Sequence, residues 1–172
     1  MDPDEFVIFV EGMTDYNYLT AMKYILENDE FKKFIFIPIE GVGKNKRKIK
    51  NKLKKLKEIR KYNCILLTDG DKNGKLIYDI NSKDENKITV INLPTIDPNF
   101  IEIEDLFYQK EKEYFYMNSK DSWSSILFKK MITVNPSLVC NETKNSFKKI
   151  FDYLLNIIQK SLFKLNQKIS ES

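Results

Sequence analysis

The sequence has no histidine among its 172 residues. This absence excludes the Ser-His-Asp and Cys-His arrangements of nucleophilic catalysis, a histidine general base, and zinc sites with imidazole ligands. Any catalysis by this chain must therefore use carboxylates, lysines, hydroxyl groups or metal ions bound by oxygen.

Cysteines and long apolar runs are also scarce. The two cysteines, Cys64 and Cys140, lie far apart and form no Cys-x-x-Cys pair. Three of the first five residues are acidic, unlike the start of a signal peptide, and every apolar run is far shorter than the roughly 18 residues that span a bilayer. These features predict a soluble, cytoplasmic protein without a membrane partner.

Four short apolar runs divide the first part of the chain. The chain is 42% hydrophobic and 13% aromatic, which is typical of a globular protein, and its length suits one domain. Short runs of this kind are typical of strands buried on both faces of a parallel sheet. They lie at residues 6–10, 34–39, 64–68 and 88–93.

Helical patterns separate these runs and continue after them. We expect one helix from an N-cap at Thr14 to about Asn28, another in the basic segment 44–61, and two more over 121–133 and 143–165. Strands that alternate with helices predict an α/β fold. Its sheet is expected to be mainly parallel and Rossmann-like, with about four strands flanked by helices and extra helices at the C-terminal end.

Residues 69–74 and 94–98, in contrast, are rich in turn formers and are predicted to be loops. Gly70 and Gly74 in the first of these segments are more simply explained as turn residues than as residues that bind phosphate.

Positive charge is concentrated in one segment. Residues 44–61 contain eleven Lys or Arg and a single acid, Glu58. Ile49, Leu53 and Leu56, followed by either Ile59 or Arg60, have helical spacing, so we expect an amphipathic helix with its lysines exposed. This helix is either a solvated face or a surface that contacts phosphates. On the second interpretation the nucleic-acid-binding residues are Lys44, Lys46, Arg47, Lys50 and Lys54, with Lys72 further along the chain.

Acidic residues follow three of the four predicted strands. They are Glu11 with Asp15 after the first, Asp69 and Asp71 after the third, and Glu102, Glu104 and Asp105 after the fourth. Because the carboxyl ends of parallel strands share one edge of a sheet, these carboxylates are expected to lie close together and to repel one another. A hard cation with oxygen ligands, such as Mg²⁺, would relieve the repulsion.

A purely structural interpretation of the same residues stays open. Glu11 caps a helix in this alternative, Asp69 and Asp71 form an Asx turn, and Glu104 opens a helix near its positive end.

Three segments, taken in order, resemble the motifs of a Toprim domain. They are residues 9–15 (Phe-Val-Glu-Gly-Met-Thr-Asp), 67–74 (Leu-Thr-Asp-Gly-Asp-Lys-Asn-Gly) and 103–107 (Ile-Glu-Asp-Leu-Phe). The Glu-x-x-x-Asp form of the first motif and the later Ile-Glu-Asp-Leu segment are most similar to the Toprim nucleases of the OLD family. The resemblance implies a Toprim catalytic core at 1–110 and a helical extension at 111–172, packed on the core as a single domain.

The resemblance implies a divalent-metal-dependent endonuclease that hydrolyses phosphodiester bonds, acts on DNA in preference to RNA, and serves in phage defence. Two Mg²⁺ or Mn²⁺ ions are implied. Asp69 and Asp71 would bind one ion, while Glu11 and Asp15 would hold or share the second and assist proton transfer.

The resemblance also implies residues around this centre. Glu104 or Asp105 would complete the metal shell, and Lys144, with Lys148 and Lys149 nearby, is the candidate for neutralising phosphate charge. OLD-family proteins usually carry an ATPase domain ahead of the Toprim region, so the resemblance implies an excised domain, a stand-alone nuclease, or a subunit that works with a separate ATPase subunit or domain as its partner. Two alternatives stay open: a Toprim ribonuclease that processes RNA, and a nucleic-acid-binding subunit without catalytic activity.

Overall fold

The computed structural model describes residues 5–39, 45–59, 64–85, 87–115, 117 and 122–170. It is an α/β fold with a parallel four-stranded sheet and helices on both faces, as predicted from the alternating pattern. The elements are β1 (Phe6–Val10), α1 (Met13–Ile25), α2 (Asp29–Lys32), β2 (Phe34–Pro38), α3 (Lys46–Ile59), β3 (Ile65–Thr68), α4 (Lys72–Ser82), β4 (Thr89–Asn92), α5 (Leu93–Ile96), a 3₁₀ turn at Ile103–Leu106, α6 (Gln109–Tyr114), α7 (Ser122–Val134), a second 3₁₀ turn at Pro136–Leu138, and α8 (Asn141–Ser170).

The strand order is β2-β1-β3-β4. The chain passes from β1 to β2 on one side and then crosses back to β3 on the other. Val10 at the end of β1 pairs with Pro38 and with Leu67, and Thr68 at the end of β3 pairs with Asn92. In open parallel sheets, ligands bind at the carboxyl ends of the strands where the order reverses, and here that place lies between β1 and β3.

Two hydrophobic clusters cover the two faces of the sheet. Along β1, Ile8 and Val10 face the larger cluster and Val7 and Phe9 face the smaller, because successive strand residues point to opposite faces. The larger cluster draws on α1, α7 and α8 and is rich in aromatic contacts, such as Phe107 against Phe128 at 5.1 Å between ring centroids. The smaller cluster is covered by α3 and α4.

Helix α3 confirms the predicted amphipathic pattern. Ile49, Leu53 and Leu56 are buried on the sheet, and the Asn45 side chain accepts hydrogen bonds from the backbone amides of Arg47 and Lys48 where the helix begins. Ile59 does not extend the buried stripe, because it is 69% exposed. The other predicted position, at residue 60, and Lys44 lie outside the described residues.

The beginning and end of α1 differ from the prediction. The N-cap is Gly12 rather than Thr14, because the carboxylate of Asp15 accepts a hydrogen bond from the Gly12 amide at 2.8 Å and closes the first turn. The helix ends at Ile25, and Asn28 instead caps the short helix α2.

The segment predicted as a proline-rich loop contains the short helix α5, with Pro94 in its first turn, where a missing amide is tolerated.

The last helix begins at Asn141 rather than near Thr143. Its start is fixed from α6, because the buried carboxylate of Glu111 accepts hydrogen bonds from the Cys140 amide, at 2.6 Å, and from the Thr143 hydroxyl. Among the described residues, no helix has both the length and the apolar character that crossing a membrane requires.

Candidate functional site

The candidate site lies at the carboxyl ends of β1 and β3, where the strand order reverses. Glu11 directly follows β1 and Asp69 directly follows β3. One oxygen of the Glu11 carboxylate accepts a hydrogen bond from the backbone amide of Asp69 at 3.2 Å, and the other accepts one from the Asn73 side chain at 3.3 Å. Glu11 therefore joins the end of β1 to the loop after β3 and to the first turn of α4.

The loop after β3 and the first turn of α4 leave no room for side chains at Gly70 and Gly74. A Cβ atom at Gly70 would lie 2.2 Å from the Pro94 ring, and one at Gly74 would lie 1.9 Å from the Asp69 carbonyl oxygen. Gly70 also donates its amide to the Ile101 carbonyl at 2.6 Å, which holds the loop against the segment before the first 3₁₀ turn. Close approach of the Pro94 ring therefore explains Gly70, and close approach of the Asp69 backbone explains Gly74.

The predicted turn at 69–74 is wrong in its second half. Asp71 is the N-cap of α4 and accepts a hydrogen bond from the Gly74 amide at 2.8 Å, so Lys72, Asn73 and Gly74 form the first helical turn. Asp71 consequently has a structural role, part of the alternative that the sequence left open, and its side chain is exposed.

Five carboxylates interact electrostatically at this edge. Burial, followed by repulsion from Asp15, Glu11, Glu104 and Asp71, raises the pKa of Asp69 to about 9. Burial raises the pKa of Asp15 to about 7, and repulsion from Glu11 and Glu104 adds to the effect of burial despite the hydrogen bond from Gly12. Burial also raises the pKa of Glu11, with a smaller contribution from the charge of Asp71.

The structure separates the two candidates for the third acidic motif. Asp105 accepts hydrogen bonds from the amides of Ile101 and Glu102, both at 2.9 Å, and its other oxygen forms an ion pair with Lys112 at 3.3 Å. Asp105 therefore closes its own 3₁₀ turn, whereas the charge of Glu104 acts on both Asp15 and Asp69. Of the two, Glu104 belongs to the carboxylate group.

Lys144 lies in the first turn of α8, and no ion pair joins it to a carboxylate within the described ranges. Lys148 and Lys149 form ion pairs with Asp152 and Asp97 respectively. Lys112, seven residues after Asp105, forms an ion pair with Asp105, and the sequence motifs did not single out this lysine.

Asn73 is a second site residue that the sequence reasoning missed. Its side-chain amide donates to Glu11, and its carbonyl oxygen is buried without a hydrogen-bond partner. A buried carbonyl oxygen without a partner is costly, so this acceptor on a side chain bonded to Glu11 is a further oxygen ligand available for a cation. The position of Asn73 in the loop-forming segment concealed its role, because the segment was predicted to be a turn.

The donor set fits a hard divalent cation, because its charge repulsion is what such an ion relieves and its atoms are oxygens. No three carboxylate or thiol groups in the described parts of the chain already surround one point as a metal site. Glu11, Asp15 and Asp71 are instead held by nearby N–H groups. A cavity of about 10 Å³ beside Asp15, Thr68 and Asp69 has room for roughly one water molecule, so these carboxylates are poorly hydrated.

Four of the six basic residues predicted to bind nucleic acid lie near the other end of α4. Lys46, Arg47, Lys50 and Lys54 of α3 line a groove with residues at the C-terminal end of α4. Helix α4 has eleven residues and is therefore about 16 Å long, so this groove is separated from the carboxylates by about the length of the helix. Lys72 is exposed at the N-terminal end of α4, next to Asp71.

Comparison with protein-family models, curated proteins and solved structures found no match. The resemblance to the Toprim nucleases therefore stays a prediction from the three motifs.

Proposed function

We propose that this protein is a divalent-metal-dependent endonuclease that hydrolyses phosphodiester bonds in DNA, an OLD-like Toprim nuclease. The observation that carries the proposal is the group of partly buried, mutually repelling carboxylates between β1 and β3, with the pKa of Asp69 raised to about 9. A fold that keeps such charges together at a ligand-binding edge is using them, because perturbed carboxylates concentrate at functional sites.

Asp15, Asp69 and Glu104 are the residues proposed to hold Mg²⁺ or Mn²⁺, with Asp71 and the Asn73 carbonyl at the rim. When bound, divalent ions neutralise phosphate charge and make a hydroxide nucleophile available near neutral pH. Glu11 is proposed to accept a proton, because burial raises its pKa toward the operating range of a general base and two N–H donors fix its orientation.

The charge at the N-terminal end of α4 is consistent with an anionic substrate. Its first turn contains Lys72, followed by Lys75, and no acidic residue. Cations at a helix N-terminus oppose the helix dipole, so lysines here are unfavourable for the helix alone and favourable for a bound phosphate. Lys112 and Lys144 are the remaining candidates for neutralising developing phosphate charge.

The test is a cleavage assay with plasmid DNA, single-stranded DNA and structured RNA, with Mg²⁺, Mn²⁺ or EDTA. We expect cleavage of DNA that needs the metal and disappears in Asp69→Asn. The matched control is Asp79→Asn, which removes an exposed carboxylate of α4 outside the carboxylate group and should keep the metal-dependent cleavage. Cleavage of RNA alone would favour the ribonuclease alternative, and equal cleavage by Asp69→Asn and wild type would refute the proposed site.

A non-catalytic nucleic-acid-binding subunit is the second candidate. It is favoured by one observation, that Asp15 and Asp71 both make helix-capping hydrogen bonds and so have structural roles already. Binding of DNA without metal-dependent cleavage, in a preparation whose folding is verified, would support it. A separate ATPase partner and a role in phage defence follow only from the resemblance to the OLD family, and both depend on the endonuclease proposal.

A further inference from the structure

The groove between α3 and the C-terminal end of α4 is a strongly charged concave surface. Two connected depressions of about 410 and 380 Å³ share Lys50 and Asp84 in their linings. Two acids, Glu58 and Asp84, also line them. The cations of the lining are Lys46, Arg47, Lys50, Lys54, Lys57 and Lys83.

The base of the groove is held firmly, while its rim consists of long cationic side chains. Leu53 of α3 packs into the smaller hydrophobic cluster below the groove. Asn81 donates its side-chain amide to the Ile88 carbonyl at 2.9 Å and accepts from the Ile88 amide at 3.0 Å, which fixes the end of α4 to the start of β4. The groove is therefore a lasting feature of the fold, and its lysines can adjust to a ligand above it.

Helix α4 connects this groove with the carboxylate edge. Lys72 and Lys75 are exposed at its near end, and Lys83 follows its far end. Positions 72, 75, 79 and 83 share one helical face, since they are three, seven and eleven residues apart. Asp79 is the acid on this face, so positive charge is concentrated at the two ends of the helix with a gap between them.

We propose that the groove binds the backbone of a DNA strand whose scissile bond lies at the carboxylate edge, about five nucleotides away. The spacing follows from the helix length of about 16 Å and a rise of roughly 3.4 Å for each nucleotide of one strand. Repeated phosphates satisfy cations at both ends of α4 at once, whereas a small anion would reach one end only. The distance to the scissile bond rests on the proposed function, but binding in the groove does not.

The first experiment measures binding without cleavage. Fluorescence anisotropy in EDTA, with a duplex of about 20 base pairs, compares the wild type with the quadruple variant Lys46→Gln, Arg47→Gln, Lys50→Gln and Lys54→Gln. We expect affinity to fall about tenfold or more and the slope of log K against log salt to become shallower by about two to four. Thermal unfolding of each variant verifies that the fold is intact.

A matched control removes the same charge elsewhere. Lys110, Lys130, Lys148 and Lys160 are exposed and lie outside the groove, so their replacement by Gln should change the affinity much less. Equal losses in the two quadruple variants would overturn the proposal, because net charge alone would then explain binding. Binding of the groove variant to vesicles of anionic lipid is measured as well. Loss of vesicle binding with unchanged DNA affinity would also overturn the proposal.

The second experiment measures cleavage of duplexes whose flank beyond the cleaved bond is progressively shortened. We expect wild-type cleavage to fall steeply once the flank is shorter than about five nucleotides, and the groove variant to lack this dependence. Cleavage by the wild type that does not depend on flank length overturns the spacing while leaving the proposed function intact. Groove-dependent DNA binding without any cleavage supports the groove and refutes the proposed function instead.

Discussion

The two ends of helix α4 are built on opposite principles. At its N-terminal end, carboxylates are partly buried, backbone atoms approach too closely for a side chain at Gly74, and hydrogen bonds fix Glu11 and Asp71. At its C-terminal end, cations extend from α3 into solvent around an open groove. The same short helix joins a constrained acidic site to an adaptable basic surface.

This contrast shows which charges are informative. A solvated lysine costs the fold almost nothing, so the basic groove requires a binding experiment before it has a function. A carboxylate whose pKa is raised toward neutrality or above destabilises the fold when ionised, so its retention indicates a use. The acidic end is therefore the stronger basis for a functional proposal, and the basic end is proposed to bind the substrate strand.

The largest effect is expected from Glu11→Gln at the acidic end. The amide keeps the shape of the side chain but cannot take up a proton, so the cleavage rate should fall by about 10² to 10⁴-fold. DNA affinity in EDTA should stay close to that of the wild type, because the groove at the other end is unchanged. Steady-state cleavage and anisotropy measure the two quantities, and wild-type turnover by the variant would exclude this role for Glu11.

Gly74→Ala should break the constrained end by steric overlap. Its new Cβ would lie 1.9 Å from the Asp69 carbonyl oxygen, which is a backbone atom and cannot rotate away. We expect the free energy of unfolding to drop by about 3 kcal/mol. Gly12→Ala is the matched control, since its nearest neighbour would be Asp15 Oδ2 at 3.9 Å. Urea unfolding compares the two, and equal stability of the variants would contradict the geometry of the loop.

Asp69→Asn should stabilise the protein without metal, by an amount that grows with pH. The folded-state pKa of about 9 lies above the value of 3.8 expected for the unfolded chain, so the folded state binds the extra proton between these values. Stability contributed by that proton is present at low pH and is lost as pH rises toward 9. In EDTA the gain in stability of the variant over the wild type should be larger at pH 8 than at pH 5 by at least about 1 kcal/mol.

The pH profile is the control for this prediction. The difference in Tm between variant and wild type should be small near pH 5 and increase toward pH 9, whereas Asp79→Asn should show no such trend. A loss of stability in Asp69→Asn at every pH would make Asp69 a structural residue.

The smallest effect is expected at Asp71, which sets the start of α4. Asp71→Ala removes the hydrogen bond to the Gly74 amide and should cost about 1 kcal/mol, while Asp71→Ser keeps a capping oxygen and should recover most of that loss. Thermal unfolding distinguishes the two. If both variants lose cleavage although only Asp71→Ala loses stability, Asp71 acts in the site as well as in the cap.

The strands were predictable from the sequence because burial on both faces leaves continuous apolar runs, and the location of Glu11 and Asp69 followed from strand order. The start of α4 could not be predicted from the sequence, because Asn73 and Gly74 are residues typical of turns. Their place in the first helical turn depends on the Asp71 cap and on the close contact of Gly74 with Asp69. The sequence also does not show which of the adjacent acids Glu104 and Asp105 belongs to the carboxylate group. The folded turn decides this, because the backbone amides of Ile101 and Glu102 donate hydrogen bonds to Asp105.

The position of the basic helix shows the same limit at a larger scale. Ile49, Leu53 and Leu56 predicted which face of α3 is buried, and the structure confirms it. Their spacing does not say which end of α4 the lysines adjoin, because that depends on how α3 crosses the sheet. Four of these cations line a groove about one helix length from the carboxylates, a distance that the sequence did not predict.

Calorimetry of Mn²⁺ binding tests directly whether the carboxylates at the ends of β1 and β3 form a metal site, because it needs neither substrate nor turnover. We predict that the wild type binds Mn²⁺ with an affinity that rises between pH 7 and pH 9, since the proton on Asp69 must leave. Asp69→Asn should lose this binding, whereas Asp79→Asn should keep it. Absence of Mn²⁺ binding by the folded wild type, or equal binding by Asp69→Asn, would contradict this prediction.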